Sequence, residues 1–276
     1  MNSKLIFLDI DGTLVAPGSN IPPQSAMDAI RKAQANGHKV FLCSGRNIPM
    51  LKPLLESYQF EGAVGGAGGI VMIGDKVVYD CPMEPADFET AMRLLGENGV
   101  YRTIEAKEGS WCDSGMGEFL EKQPGGNSEL LRWRKALEED LGIKPISEYT
   151  GVPVYKIIFM CERPEQIEPA RKALDERYHF LVQDTQFGAS CINGEMINRQ
   201  YDKGKGVRLV AKELGYDIAD TIGFGDSMND LEMIETVGYS VCMDNGSPTL
   251  KAKSDYVCPS VEEDGLAAAF EKLGLI

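Results

Sequence analysis

Two aspartates, Asp9 and Asp11, stand two residues apart at the end of a short apolar run, Leu5-Ile6-Phe7-Leu8, with Gly12 and Thr13 behind them. Carboxylates at i and i+2 can converge where the backbone turns sharply, and Gly12 permits such a turn. Close carboxylates repel unless a proton or a cation lies between them. A hard cation with oxygen ligands, such as Mg²⁺, meets that need. One carboxylate could then attack phosphorus while the other handles protons. Taken alone, the same five residues would also fit a plain turn with a capping aspartate.

Such residues need strands to present them. Leu5–Leu8 is apolar without alternation, the pattern of a strand covered on both faces in a parallel sheet. Lys39–Cys43 is a second strand and ends at Ser44-Gly45-Arg46. Thr221–Gly225 is another and ends at Asp226. Between them, Ala26, Ala29, Ile30 and Ala33 share one helical face, and a helix is expected over 203–214 with Gly215 as its stop. Gly74-Asp75 between two apolar runs marks a hairpin. In open α/β sheets ligands gather beyond the carboxyl ends of the strands. Three polar clusters fall at such ends: Asp9–Asp11, Ser44–Arg46 and Asp226.

The middle of the chain reads differently. Helices are expected over 84–98, 129–141 and 164–178, and strands over 101–105, 154–160, 180–184 and 189–192, with a loop across 106–128. This is an α+β module with a sheet of its own. The expected plan is a doubly wound α/β core built from 1–81 and 193–276, with an α+β cap, 82–192, inserted between the halves.

The chain has 276 residues, 43% of them hydrophobic, enough for one large domain or two smaller ones. Its net charge of −14, with no long basic stretch, argues against nucleic acid or an anionic membrane as partner. Seven cysteines, an odd number without any C-x-x-C, argue against a disulfide framework or a zinc site. No apolar run approaches the ~20 residues that span a bilayer, so the cytoplasm is the expected location.

The segment Asp9–Thr13 after Leu5–Leu8 resembles the first motif of haloacid dehalogenase-like (HAD) phosphatases. Ser44 at the end of Val40–Cys43 is similar to the second motif and Lys203-Gly204 at a helix start to the third. Gly223-Phe224-Gly225-Asp226-Ser227-Met228-Asn229-Asp230 closely resembles the fourth. With an insertion between the second and third motifs, the chain resembles the Cof-type, IIB-capped subgroup with its Rossmann-like core.

That resemblance implies a Mg²⁺-dependent phosphatase of small phosphate esters working through an aspartyl-phosphate. Asp9 would be the nucleophile. Asp11 would be the general acid, then the base towards water. Mg²⁺ would be held by the Asp9 carboxylate, the Asp11 main-chain carbonyl and Asp226, supported by Asn229 or Asp230. Ser44, with the N–H groups after it at Gly45, and Lys203 would bind the phosphoryl group; Lys205 is the competing lysine. A phosphomutase or a noncatalytic relative would share the resemblance.

Several residues are left open by the sequence. Arg46 could meet substrate or the cap, or form a surface ion pair. Lys156 is similar in placement to a substrate-facing cap lysine, and Trp111, Arg132, Trp133 and Arg134 are further cap candidates. His38 and His179 read as structural. Gly65-Gly66-Ala67-Gly68-Gly69 departs from the Asn-Gly-Ala of similar proteins, which puts Ala67 where a polar side chain is usual.

Overall fold

The computed structural model describes residues 3–17, 19–122, 143–182 and 191–276. The chain forms two compact units, one of Met1–Arg46, Met50–Asp80 and Tyr201–Ile276, the other of Asn47–Pro49 and Cys81–Gln200.

The larger unit is built on one sheet. Its strands are β1 (Leu5–Leu8), β2 (Lys39–Cys43), β3 (Gly62–Gly65), β4 (Ile70–Ile73), β5 (Lys76–Asp80), β12 (Thr221–Gly225), β13 (Tyr239–Met243) and β14 (Tyr256–Cys258). They lie in the order β14-β13-β12-β1-β2-β3-β4-β5. Pairing is parallel from β14 to β3 and antiparallel for β3–β4–β5. Every residue of β1 is buried, which is why its sequence carries no alternation. Full burial of one such side chain contributes about 1.5–3 kcal/mol.

β1 sits where the strand order reverses, between β2 and β12. Leu8 is level with Leu42 and with Phe224, so the three strands end together. The ladder runs one residue further at Asp9, whose N–H donates to the Phe224 carbonyl at 3.0 Å.

The helices follow amphipathic logic. α1 (Gln24–Ala35) buries Ala26, Met27, Ala29, Ile30 and Ala33. α2 (Ile48–Tyr58) follows β2. In the carboxyl-terminal third, α6 (Lys203–Leu214) is capped by Asp202, whose side chain accepts from the Lys205 N–H, and stops at Gly215 with φ +72°. α7 (Leu231–Ile234), α8 (Pro248–Lys253) and α9 (Gly265–Lys272) complete this half.

The smaller unit has a six-stranded sheet in the order β10-β11-β9-β6-β7-β8. Its strands are β6 (Tyr101–Ala106), β7 (Gly109–Cys112), β8 (Ile143–Pro145), β9 (Val154–Cys161), β10 (Tyr178–Val182) and β11 (Ile192–Asn198). α3 (Pro85–Glu97) and α5 (Glu168–Leu174) cover one face, burying Ala91, Leu95, Ala170 and Leu174 against Ile104, Ile157 and Phe159. α4 (Met116–Glu121) packs Met116 and Leu120 near Ile158 and Met160.

Several expectations change here. The stretch 106–128 is not all loop: it contains β7 and α4, elements of four and six residues that are too short to show a period. The helix expected over 164–178 is shortened to α5 behind a 3-10 turn at Pro164–Gln166, with prolines opening both. A boundary at 193 would cut β11, which pairs antiparallel with β9 and β10, so the smaller unit continues to Gln200. Asn47 belongs with it because its amide donates to Ser110 Oγ at 3.0 Å. The helix expected over 129–141, the residues Arg132, Trp133 and Arg134, and the first two residues of the strand expected over 189–192 lie outside the described residues. Among those described, no helix is long and apolar enough to cross a membrane.

Candidate active site

The acidic tips of β1 and β12 meet. Asp9, Asp226 and Asp230 each bring a carboxylate oxygen within 4.8 Å of the others. Three local features make this possible. Gly12 turns the chain at φ +93°, and a Cβ there would stand 2.4 Å from Asp226 Oδ2. Gly225 likewise leaves room for Asp230, whose Cβ would be 2.6 Å from any side chain added at that glycine. Thr13, fully buried, donates its hydroxyl to Asp226 Oδ1 at 3.3 Å.

Lys203 enters the same cluster from the start of α6. Its Nζ donates to Asp9 Oδ1 at 2.7 Å, to Asp230 Oδ1 at 2.5 Å and to Asn229 Oδ1 at 3.3 Å. Burial pulls its pKa down, but Asp230 and Asp9 outweigh that and hold it well above the usual value, so it stays an ammonium. Lys205, the competing lysine, is exposed and pairs with Asp202 at 3.3 Å.

The carboxylates feel the opposite strain. Burial, then the charge of Asp230, pushes Asp9 up to about 7 despite Lys203. Burial, then Asp9 and Asp230, pushes Asp226 up to about 9. One ammonium therefore does not neutralise three carboxylates. Excess buried negative charge made of hard oxygens is the donor set of a divalent cation such as Mg²⁺, and the residues present fit one. Asp230 is the most committed of the three. Its Oδ1 takes Lys203, and its Oδ2 accepts the N–H groups of Asp226 at 3.0 Å and Ser227 at 3.1 Å.

Asp11 does not join the cluster with its side chain. Its carboxylate is held by Arg46, with Nε to Oδ2 at 2.9 Å and Nη2 to Oδ1 at 2.7 Å. Arg46 also donates to Asn20 Oδ1 at 2.8 Å. It is buried, which rules out the surface ion pair considered for it. Sequence reading missed this fork; the available signal was that a buried arginine demands a carboxylate, but nothing in the sequence says which.

At the tip of β2, Ser44 is buried and its Oγ accepts the Arg46 N–H at 3.2 Å. Half-buried Gly45 lies between them. The glycine-rich corner after β3 buttresses this tip. The Ala67 N–H donates to the Ser44 carbonyl at 3.0 Å and the Gly66 N–H to the Arg46 carbonyl at 2.8 Å. A Cβ on Gly68 would meet the Asp202 carbonyl oxygen at 2.3 Å, so the corner also abuts the residue before Lys203. Ala67 adopts φ +58°, a left-handed conformation in which asparagine is enriched and alanine strained.

The remaining candidates fall in the smaller unit or away from the cluster. Lys156 is buried between Glu195 at 2.8 Å and Glu105 at 3.2 Å. Trp111 is buried in the smaller unit's core against Tyr149. His38 accepts the Lys4 N–H, and burial lowers its pKa. His179 Nδ1 accepts from Arg199 Nη1 at 2.8 Å.

The family described as haloacid dehalogenase-like hydrolase matches residues 6–270. YkrA of Bacillus subtilis (strain 168), whose name classes it provisionally as a phosphatase, is 33% identical over 282 residues, covering 100% of both chains. The B. subtilis 5-amino-6-(5-phospho-D-ribitylamino)uracil phosphatase YwtE is 26% identical, covering 98% of each. The solved structure of BT4131, described as an HAD subclass IIB sugar phosphatase, overlays with a TM-score of 0.77 at 22% identity over 99% of this chain and 100% of that one. The chain belongs to the haloacid dehalogenase-like hydrolases. Within that family it is an enzyme of the phosphatase class, with the doubly wound core and additional α+β unit of the IIB-type fold.

Proposed function

We propose that this hydrolase is a Mg²⁺-dependent phosphatase of small phosphorylated metabolites, acting through an aspartyl-phosphate on Asp9. The observation that carries the reading is the position of Asp9. It is buried at a strand tip, fixed by Lys203, with Asp226 and Asp230 oxygens within 4.8 Å.

In this reading an Asp9 oxygen attacks phosphorus and the P–O bond to the leaving group breaks. Asp11 gives its proton to the departing oxygen. Asp11 then takes a proton from a water molecule, which attacks the aspartyl-phosphate, freeing inorganic phosphate and restoring Asp9. Lys203, with the Ser44 hydroxyl and the N–H groups around Gly45, offsets the charge spread over the equatorial oxygens. Mg²⁺, when bound, would add a second positive centre to that stabilisation. The Asp9 and Asp226 carboxylates and the Asp11 main-chain carbonyl would hold it, with Asp230 and Asn229 supporting. Lys203 and Arg46 keep the two catalytic carboxylates in place between turnovers.

Two relatives bear names that refer to a ribityl phosphate and to sugar phosphates, which supports a small phosphorylated polyol, sugar or nucleotide as substrate. An odd number of cysteines without any C-x-x-C fits work in the reducing cytoplasm.

The test is hydrolysis of p-nitrophenyl phosphate with Mg²⁺ and with a chelator, on wild type and Asp9→Asn. Mg²⁺-dependent release of free phosphate, lost by at least about 10³-fold in a folded Asp9→Asn, supports the reading. Wild-type rates in that variant would remove Asp9 as nucleophile. Phosphate retained on a second substrate hydroxyl would instead make the enzyme a phosphomutase.

A further inference from the structure

The loop Asp244–Ser247, after β13, has no part in the chemistry above, yet it grips both backbone segments that carry the acidic cluster. The Asn245 side chain donates from Nδ2 to the Gly12 carbonyl at 2.8 Å and accepts the Val261 N–H on Oδ1 at 3.0 Å. Two residues on, the Ser247 N–H donates to the Asp226 carbonyl at 2.8 Å. Between them, Gly246 passes so close that a Cβ would lie 2.8 Å from that same Asp226 carbonyl oxygen.

Gly12 is where precision matters most. Its missing Cβ faces Asp226 Oδ2 at 2.4 Å, so a small rotation of this turn moves the Asp226 carboxylate. The neighbouring Asp11 carbonyl is the proposed main-chain ligand. A planar amide held at both ends has a fixed position and a fixed orientation, and it transmits both to the Gly12–Thr13 peptide. Each bond contributes only modestly to folding. A ligand set, by contrast, must be held to within about 0.5 Å to bind its ion well.

We propose that Asn245 is a positioning residue of the divalent-metal site, acting through the Gly12 carbonyl on Asp226 and the Asp11 carbonyl. This rests on the metal reading given above. The amide oxygen is anchored on Val261, leaving its NH₂ group to act on the Asp9–Thr13 turn. Loss of such an outer partner costs about 10–100-fold in metal affinity.

The experiment is Mn²⁺ binding to the full chain, followed by electron paramagnetic resonance, with thermal unfolding of the metal-free protein alongside. Asn245→Ala is expected to bind Mn²⁺ about tenfold more weakly. Asn245→Asp keeps the acceptor for Val261 and loses the donor for Gly12. Its extra negative charge would by itself tighten cation binding, so weaker binding in this variant reports geometry, and it decides the matter if the alanine variant does not fold. Asn36→Ala is the control. It removes a bond of the same kind, to the Leu275 carbonyl at 3.0 Å, and is expected to leave Mn²⁺ affinity unchanged. Wild-type or tighter binding by Asn245→Asp, or equal weakening by Asn36→Ala, overturns the role of Asn245 alone. Failure of wild type to bind Mn²⁺ overturns the metal reading and this proposal with it.

Discussion

Arg46 clasps Asp11 through two parallel hydrogen bonds, Nε to Oδ2 at 2.9 Å and Nη2 to Oδ1 at 2.7 Å. A planar fork of this kind fixes the plane of the carboxylate as well as its position. In the proposed reaction Asp11 carries the proton to the leaving oxygen, so its aim depends on a residue 35 positions away in the chain.

Arg46→Lys keeps the charge and loses the fork. A fall in kcat of about tenfold is expected with p-nitrophenyl phosphate. In an Asp11→Asn background the same change is expected to have little further effect, because the group it orients is already gone. Additive losses across this double-mutant cycle would disconnect Arg46 from Asp11.

The acidic cluster sets a pH dependence with a definite sign. Asp9 and Asp226 titrate near 7 and 9 in the folded protein, above their ordinary value of 3.8. The folded state thus binds more protons than the unfolded state between about pH 4 and 9, so their contribution falls as pH rises through that window. A bound divalent cation replaces those protons. The rise in Tm on adding Mg²⁺ is expected to grow from pH 6 to pH 9, measured against chelator at each pH. A Tm increment that shrinks or stays level would contradict this.

Lys203→Met removes the ammonium that the structure places against both Asp9 and Asp230. Unpairing buried charges costs about 3–5 kcal/mol. Denaturant unfolding of the metal-free variant is expected to show a loss of that order at pH 8. The loss is expected to be smaller at pH 6, where Asp9 takes up a proton. Equal losses at the two pH values would mean that Lys203 does not govern Asp9.

Ala67, at φ +58°, stores strain that glycine would not. Ala67→Gly is expected to stabilise by about 0.5–1 kcal/mol, net of the extra freedom glycine gives the unfolded chain. Gly68→Ala is expected to do the reverse by about 2 kcal/mol or more, since its methyl would meet the Asp202 carbonyl oxygen at 2.3 Å. Chemical denaturation of both variants checks the pair, and a stabilising Gly68→Ala would refute the close approach.

Much of the core was legible because its signals are local. An apolar run without alternation, as in Leu5–Leu8, identifies a doubly covered strand whatever lies beside it. A glycine after paired aspartates marks a turn, and the order of the polar strand ends marked one rim of the sheet. The smaller unit was less legible. Four-residue β7 and six-residue α4 are too short for a period to emerge, and β11 is assigned by its ladder to β9 and β10 rather than by its composition.

By itself, then, the sequence determined that three acidic or hydroxyl-bearing strand tips exist, and that a lysine opens a later helix. Only the tertiary structure decided which charges face one another. It chose Lys203 over Lys205, turned the Asp11 carboxylate to Arg46 and away from the Asp9–Asp226–Asp230 cluster, and enclosed Lys156 between two glutamates. The reason is physical. Backbone propensity and apolar periodicity are properties of neighbours in the chain, whereas ion pairing depends on register and twist that bring residues from distant strands within a few ångströms.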